Sequence, residues 1–328
     1  MRLSLENIAV WDRLELELAT VTLIAGELSS GKSVILYSTA TPLLICAGYS
    51  PDAVFSDVWG GVPEDFIRGR GEGSVALAGK GFRLEFKLRS RALEPYPEDA
   101  EFPHVAFISS SLWWQVKTTR VGGIAEPLPL SHLLAESREF IDDEWRVRVA
   151  QVMDEELKRS AGVRTPALVL TESLENTVVS FGGALVPLGS CSRGLLDLAL
   201  LRLALNVLRP PANGEPRTII VAEELEGGMH PSAHYAAFRA AARLVKERGG
   251  ILVASTQSEH VIHALSTLLR EGILSPSDVA VYYTYLDEEA HRARVERIEA
   301  EARGVERLPP RLLELTYSEA EILLGEDA

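Results

Sequence analysis

Short runs of apolar and β-branched residues recur along this chain between longer mixed segments, a pattern typical of an α/β protein. The runs that predict core strands are Val21–Ala25, Val105–Ser111, Arg217–Ala222, Ile251–Thr256 and Val279–Tyr285. Residues 2–20 predict two further short strands around Trp11 and Asp12, which we expect to pair with the strand at 21–25.

Residues 74–91 alternate between apolar and charged side chains, which predicts an antiparallel sheet beside the α/β core. The positions predicted to face inward are Phe82, Leu84, Phe86 and Leu88. The region is also basic, because residues 68–91 carry seven Lys or Arg side chains against Glu72 and Glu85. Either acids elsewhere balance a solvated strand face, or this face binds nucleic acid or an acidic partner.

Helical spacing dominates residues 131–160, which predict the helices of a lobe inserted into the core. The side chains expected to contact the rest of the protein are Leu134, Phe140, Ile141, Trp145, Val149 and Val152. Residues 167–170 and 177–188 predict strands that lead to a helical run at 197–208. The charged stretch 288–301 predicts a helix.

Composition and charge narrow the class of protein. Hydrophobic residues make up 46% of the 328 residues, enough for a substantial core, and the net charge of −14 argues against nucleic-acid binding through overall charge. Cys46 and Cys191 predict no disulfide framework, and the N-terminus predicts no signal sequence. No uncharged run reaches the length of about 18 residues that spans a bilayer. We therefore expect a soluble, cytoplasmic protein without a membrane partner.

Residues 26–33 have the sequence Gly-Glu-Leu-Ser-Ser-Gly-Lys-Ser, a complete phosphate-binding loop between a predicted strand and a predicted helix. Backbone N–H groups would cradle the phosphates of ATP, Lys32 would reach the β- and γ-phosphates, and the Ser33 hydroxyl would ligate Mg²⁺. A Gly/Ser turn without function is the alternative. The residues expected to bind the nucleotide are Gly26, Glu27, Leu28, Ser29, Ser30, Gly31, Lys32, Ser33 and Val34.

Glu223 and Glu224 stand at the carboxyl end of the strand predicted at 217–222. Two carboxylates at the tip of a core strand, in a chain with a phosphate loop, suggest that the two acids have different roles in ATP hydrolysis. Glu223 would hold Mg²⁺ through water, and Glu224 would polarise the attacking water. A strand followed by a solvated acidic turn is the alternative.

The segment after these acids carries a family resemblance. Residues 227–231 have the sequence Gly-Gly-Met-His-Pro, and residues 257–260, after the strand at 251–256, have the sequence Gln-Ser-Glu-His. This order resembles the ABC-type ATPases of the RecF/OLD branch, whose pattern is similar to Asp-Glu-Pro-Glu-x-Gly-Leu-His-Pro followed by Thr-Thr-His-Ser. The resemblance implies a P-loop NTPase fold of the ABC-ATPase head type, with Glu224, Gln257 and Lys32 as catalytic residues.

The resemblance also implies a signature segment that contacts the γ-phosphate bound by a second subunit. Residues 188–196 have the sequence Leu-Gly-Ser-Cys-Ser-Arg-Gly-Leu-Leu, where relatives resemble Ser-Ser-Gly-x-Arg-x-Leu-Leu. The match implies Ser190, Ser192 and Arg193 as nucleotide contacts, with Cys191 in the place of a glycine. Hydroxyls and amides at a helix N-terminus suit an anion, and an ordinary capped helix is the alternative.

Three departures from the family pattern predict slow hydrolysis. Glu223 is one methylene longer than the usual Asp, and Glu27 adds a negative charge to the phosphate loop. Gln257 replaces a histidine, and an amide donates hydrogen bonds but cannot carry a proton. We expect His260 on a helix surface or in the core, and Trp11 packed at a strand end rather than stacked on adenine.

The expected organisation is a single ABC-type ATPase domain over residues 1–328, without a nuclease domain or a long coiled coil. Its parts are the nucleotide-binding core with a β flank (1–110 and 185–285), the helical lobe and strands leading to the signature (111–184), and a C-terminal extension (286–328). Gln115 is the glutamine nearest to the expected Q-loop.

These expectations combine into an ATPase that binds ATP and Mg²⁺, hydrolyses ATP slowly and works as an ATP-sandwiched homodimer. Two alternatives remain open. One is a nucleotide-gated binding module with negligible turnover. The other is the ATPase subunit of a DNA maintenance or defence system, acting on nucleic acid or through an unknown protein effector.

Overall fold

The computed structural model describes residues 1–68, 71–98, 100–109, 128–169, 177–187, 190–224, 227–287, 289 and 292–305. The strands are β1 (Arg2–Ile8), β2 (Trp11–Glu17), β3 (Val21–Gly26), β4 (Ser74–Ala78), β5 (Arg83–Lys87), β6 (Ala92–Tyr96), β7 (His104–Ile108), β8 (Ala167–Val169), β9 (Val178–Phe181), β10 (Ala184–Pro187), β11 (Thr218–Ala222), β12 (Ile251–Thr256), β13 (Val279–Asp287), β14 (Arg292–Ile298), β15 (Ala300–Glu301) and β16 (Gly304–Val305).

The α-helices are α1 (Lys32–Cys46), α2 (Pro51–Val54), α3 (Leu128–Glu139), α4 (Asp143–Ala161), α5 (Arg193–Asn206), α6 (Pro231–Arg248) and α7 (Glu259–Arg270). A π-helical turn at Phe55–Trp59 follows α2, and 3₁₀ turns lie at Pro63–Phe66 and Pro276–Asp278. Within the described ranges, none of these helices combines the length and apolar character needed to cross a lipid bilayer.

A six-stranded sheet forms the centre of the molecule, in the order β14-β13-β3-β12-β11-β7. Strands β13, β3, β12, β11 and β7 run parallel, and β14 pairs antiparallel with β13 at one edge. Every residue of β3, β11 and β12 is buried, because other layers cover both faces of the sheet. This double burial explains why the core strands are uninterrupted apolar runs in the sequence.

A five-stranded antiparallel sheet, ordered β2-β1-β4-β5-β6, flanks this core. Phe82, Leu84, Phe86 and Leu88 are all buried, so the inward face predicted for residues 74–91 is confirmed. The predicted pairing of residues 2–20 with the strand at 21–25 is wrong, since β1 pairs with β2 and β4. Strand β3 has both of its edges occupied, by β12 and β13.

Helix α1 lies between the two sheets and joins their cores. Ile35, Leu36 and Leu43 of this helix share a buried cluster with Leu5 of the flanking sheet and Val253 of the main sheet. Because α1 begins at residue 32, the phosphate loop that precedes it is anchored where two packed layers meet.

Helices α3 to α7 cover the opposite face of the main sheet. The helices predicted within 131–160 are present as α3 and α4, inserted along the chain between β7 and β8. Their predicted contact at Ile141 is wrong, since this residue precedes the Asp142 cap of α4 and is 61% exposed. Phe140 is half-buried. The other four predicted contacts are buried, namely Leu134, Trp145, Val149 and Val152.

The helix predicted at 288–301 is wrong, because Arg292–Ile298 within this stretch forms the edge strand β14. Ala293 and Ile298 are buried, while the arginines at 292 and 294 are exposed. The alternation of Arg and Glu with smaller or apolar side chains is the period of a strand, which the high charge content obscured.

A buried ion cluster ties α6 to α4. The Arg239 guanidinium on α6, 2% exposed, donates to Glu156 of α4 at 2.9 Å and to Glu271 at 2.7 Å. Arg243 lies farther from the same Glu156 carboxylate, at 3.6 Å. Because the Glu156 side chain is only 1% exposed, its charge depends chiefly on Arg239 for compensation.

Replacement of Arg239 by Met should lower the free energy of unfolding by about 3–5 kcal/mol, because Glu156 would remain as a buried charge without its nearest partner. The control Arg148→Ala breaks an exposed pair with Glu247, at 2.8 Å, between the same two helices, and should cost at most about 1 kcal/mol. Urea unfolding followed by circular dichroism measures both losses. Equal losses would contradict a buried-charge penalty.

Candidate functional site

The phosphate loop leaves β3 and enters α1 through backbone angles that favour glycine. Gly26 has a φ of 147° and Gly31 a φ of 88°, and Ser29 between them has a positive φ of 60°. A Cβ on Gly26 would lie 2.5 Å from the Thr284 hydroxyl oxygen, and a Cβ on Gly31 would lie 2.7 Å from a Val10 methyl carbon. Both glycines are therefore required by conformation and by close approach.

Thr284 of β13 holds this loop from the side. Its hydroxyl oxygen lies 2.6 Å from the Ser30 hydroxyl oxygen, and its carbonyl accepts a hydrogen bond from the Glu27 N–H at 3.1 Å. The Glu27 carboxylate accepts a hydrogen bond from the Leu286 N–H at 3.4 Å, so this charge is directed along β13. The Leu28 side chain at the loop tip is 78% exposed. Sequence analysis missed Thr284, because a threonine within a strand carries no motif.

The Lys32 ammonium lies against the loop backbone. Its Nζ donates to the Gly26 carbonyl at 2.9 Å and to the Glu27 carbonyl at 2.5 Å. The residue is 7% exposed, and these acceptors offset the cost of burying its charge. Ser33 and Val34 continue into the first turn of α1, whose N–H groups point back toward the loop.

Glu223 follows β11 and is held by donors on both carboxylate oxygens. The Tyr37 hydroxyl donates to Oε1 at 2.8 Å, and the Ser109 hydroxyl donates to Oε2 at 3.2 Å. Glu223 is 5% exposed, and its N–H donates to the Ile108 carbonyl at 2.8 Å. Burial and the adjacent Glu223 charge raise the pKa of Tyr37 well above its ordinary value, so the phenol remains a donor.

Glu224 projects from a left-handed backbone conformation, with a φ of 46°. Its N–H donates to the Ser255 hydroxyl of β12 at 3.1 Å. The Gln257 amide, just after β12, donates to Glu224 Oε1 at 2.5 Å. Such a conformation is costly for a residue other than glycine, and the contacts with the β12 end stabilise it. The structure therefore brings together Glu224 and Gln257.

The segment at 190–193 contacts the turn that follows the two acids. The Ser192 hydroxyl caps α5 by accepting a hydrogen bond from the Leu195 N–H at 3.4 Å. Ser190 is exposed, whereas Cys191 is buried. The Arg193 side chain crosses the backbone so closely that a Cβ on Gly228 would lie 2.7 Å from the Arg193 Cδ.

Asp197 lies one helical turn beyond Arg193, and sequence analysis missed it. Its carboxylate is 3.6 Å from the Arg193 guanidinium, and burial raises the pKa of Asp197 to about 7 although Arg193 opposes this shift. An aspartate among the leucines and alanines of this helix, four residues after Arg193, was the available signal. The pair fixes Arg193 on the same side of α5 as the turn at 227–228.

The structure describes two of the three other candidates, Trp11 and His260. Trp11 is 2% exposed and packs beneath Gly31, which supports strand-end packing and leaves no ring face for adenine. His260 is exposed on the first turn of α7, so of its two expected positions it takes the helix surface. Its ring centroid is 6.3 Å from that of His234. Gln115 lies outside the described residues.

Carboxylates pair with much of the basic region at 68–91, which supports a balanced strand face rather than a binding face for nucleic acid. Arg70 lies outside the described residues. The ion pairs in this region are Arg68–Asp12, Arg83–Glu85, Lys87–Glu94, Arg91–Asp52 and Arg91–Glu64.

Comparison with known proteins identifies the fold. No family model matches the chain, and no curated protein sequence matches it. Among solved structures, an SMC head bound to the C-winged helix domain of ScpA matches with a TM-score of 0.51 and 11% identity, over 91% of this chain and 97% of that chain.

Two further structural matches are weaker. The SMC head domain from Thermotoga maritima has a TM-score of 0.47 and 13% identity, over 91% of this chain and 98% of that chain. The ATP-binding cassette of an ABC transporter in its ADP conformation has a TM-score of 0.39 and 14% identity, over 99% of this chain and 100% of that chain. The match to the SMC head shows that the chain shares the α/β fold of such a head domain, in agreement with the predicted fold class, and its assignment to the RecF/OLD branch of the ABC-type ATPases stays a prediction.

Proposed function

We propose that this protein binds ATP with Mg²⁺, hydrolyses it slowly and works as an ATP-sandwiched homodimer. One observation carries the proposal: the residues that would bind and hydrolyse ATP follow three neighbouring parallel strands, which all end at one edge of the main sheet. Strand β3 ends in the loop at 26–33, β11 ends in Glu223 and Glu224, and β12 ends before Gln257. Ligands of open α/β sheets bind at such a carboxyl edge.

The loop would hold the phosphates of ATP. Its consecutive turns and the first turn of α1 supply backbone N–H groups, and an anion at this position is favoured by the helix dipole. The Lys32 ammonium now donates to two loop carbonyls, and the β- and γ-phosphates would compete for it as stronger, charged acceptors. This competition would couple phosphate binding to the conformation of the loop.

The oxygens of Ser33 and Glu223 fit Mg²⁺, which prefers oxygen ligands and usually completes its shell with water and substrate phosphates. The observation that supports the fit is the Tyr37 phenol, which donates to the buried Glu223 carboxylate and lies one helical turn beyond Ser33 on α1. Bound Mg²⁺ would neutralise the charge that develops on the transferring phosphoryl group.

Glu224 would act as the general base for the attacking water, and Gln257 would orient it. The contact of 2.5 Å between Gln257 Nε2 and Glu224 Oε1 supports this orienting role. An amide holds the carboxylate but offers no group that titrates near neutral pH, so it cannot pass on a proton. This favours slow turnover.

Two copies would close the site, with Ser190, Ser192 and Arg193 of one copy facing the γ-phosphate bound by the other. The segment suits this role because Ser190 and Ser192 are exposed at the start of α5. ATP would draw the copies together, and hydrolysis or release would separate them.

A nucleotide-gated binding module with negligible turnover is the second candidate, and the tight Gln257–Glu224 contact favours it. The ion pairs on the basic face argue against the DNA maintenance or defence interpretation, because carboxylates already neutralise these cations. A protein effector remains part of the proposal, since the SMC head that this chain resembles in fold is bound to a domain of ScpA. A cytoplasmic location is likewise proposed from the sequence alone.

Replacement of Glu224 by Gln should lower ATP turnover by about 100-fold or more, because an amide cannot accept the proton of the attacking water. ATP binding should be retained, since the substitution preserves shape. Phosphate release and equilibrium binding are measured on purified protein with Mg²⁺. The control Glu155→Gln changes an exposed acid of α4 and should leave turnover unchanged. Equal turnover in wild type and Glu224→Gln, with tight ATP binding in both, would instead support the binding module.

Substitution of the exposed Ser190 by Arg should weaken ATP-dependent dimerisation at least about tenfold, because it puts bulk at the centre of the proposed interface. ATP binding by the monomer should persist. Sedimentation velocity with and without ATP, in the Glu224→Gln background, measures the dimer. Ser90→Arg, on an exposed turn of the flanking sheet, is the control. A Glu224→Gln protein that stays monomeric with Mg-ATP would count against the sandwich itself.

A further inference from the structure

The Tyr37 phenol contacts Glu223, one of the two side chains expected to hold Mg²⁺, and lies on the same helix as the other, Ser33. Tyr37 follows Ser33 by one turn of α1, so the two residues share one face of the helix. The Tyr37 hydroxyl donates to Glu223 Oε1 at 2.8 Å, and the Ser109 hydroxyl donates to Oε2 of the same carboxylate at 3.2 Å. The phenol therefore belongs to a polar cluster around the Glu223 carboxylate.

The position of this phenol is fixed by aromatic packing. The ring centroid of Tyr37 lies 5.6 Å from that of Trp59 and 5.8 Å from that of Phe107, both in edge-on arrangements. The Trp59 indole N–H in turn donates to the Thr41 hydroxyl of α1 at 2.8 Å. Because its ring is held on two sides, Tyr37 loses little side-chain freedom when it donates to Glu223.

Glu223 needs such support more than the shorter aspartate of related patterns would. Its additional methylene adds a rotatable bond, while the residue is only 5% exposed, so that water contributes little to ordering its carboxylate. Tyr37 on one oxygen and Ser109 on the other restrict this freedom. Each carboxylate oxygen retains further acceptor capacity, so a metal-bound water can still hydrogen-bond to it.

We propose that Tyr37 is a positioning residue of the Mg²⁺ site, whose hydroxyl holds the Glu223 carboxylate in place to accept a hydrogen bond from metal-bound water. Tyr37 acts through Glu223 and does not touch the nucleotide. The inference rests on the proposed function, because it requires a nucleotide and Mg²⁺ at the loop 26–33.

Tyr37→Phe tests the proposal, since it removes the hydroxyl and keeps the ring contacts with Trp59 and Phe107. Binding of a non-hydrolysable ATP analogue is measured by calorimetry in Mg²⁺ and in EDTA. The Mg²⁺-dependent gain in affinity should fall on the order of tenfold, as for loss of other partners that orient metal ligands. Affinity in EDTA should remain unchanged. Tyr282→Phe is the matched control, because it also removes a buried phenol, one that donates to the Glu17 carbonyl at 3.0 Å.

A double-mutant cycle with Glu223→Asp supplies the second test. The shorter side chain withdraws from Tyr37, so Tyr37→Phe should have little further effect on the Mg²⁺-dependent gain in this background. Equal effects in the two backgrounds, or equal losses of affinity in Mg²⁺ and EDTA, would reduce Tyr37 to a structural role and overturn the proposal.

The outcomes separate this inference from the proposed function. If wild type binds the analogue more tightly in Mg²⁺ and Tyr37→Phe keeps the full gain, the inference fails and the proposed function stands. If wild type binds no analogue in either condition, the proposed function fails and the inference falls with it.

Discussion

Parallel pairing of β3, β12 and β11 is the constraint on which the rest of the site depends. The register aligns Thr256 of β12 with Ala25 of β3, and Ala254 of β12 with Ala222 of β11. The three strands consequently end at one edge, where the loop at 26–33, the acids at 223–224 and Gln257 follow them. The 2.5 Å contact between Gln257 and Glu224 is a direct result of this register. A shift by one residue would turn these side chains to the other face of the sheet.

Charge burial is the main cost of this arrangement, and the protein offsets it with its own polar groups. Two backbone carbonyls accept hydrogen bonds from Lys32, and two hydroxyl groups donate to Glu223. Glu224 is only half-buried and is held by a neutral amide. Lys32 and Glu223 are thus already oriented by the protein, as electrostatic preorganisation requires. Glu224, the proposed base, instead has one carboxylate oxygen bound by the Gln257 amide, which cannot relay a proton. This contrast links the packing of the site to the slow turnover that we propose.

Local patterns predicted the strands of the main sheet because burial on both faces demands continuous apolar runs. Local patterns failed where the same pattern is compatible with two different local structures or strand partners. The partner of the strands at 2–20 was wrong, since strand propensity does not specify which edge a strand joins. Charge concealed the alternation of β14, and Ile141 was predicted as a contact of the helical lobe although it lies in the turn between two helices. Gln115, the residue nearest to the expected Q-loop, and the last part of the C-terminal extension lie outside the described residues.

The sequence by itself determined the conformational demands of the phosphate loop, because a motif with glycine at 26 and 31 permits the positive φ angles that both positions adopt. It also determined that two carboxylates end a core strand. Only the tertiary structure decided which groups hold these residues in place. Tyr37 and Glu223 are 186 positions apart in the chain, and Ser30 and Thr284 are 254 positions apart. No local pattern encodes such contacts, since they arise only when packing of α1 and pairing of β13 bring distant segments within hydrogen-bond distance.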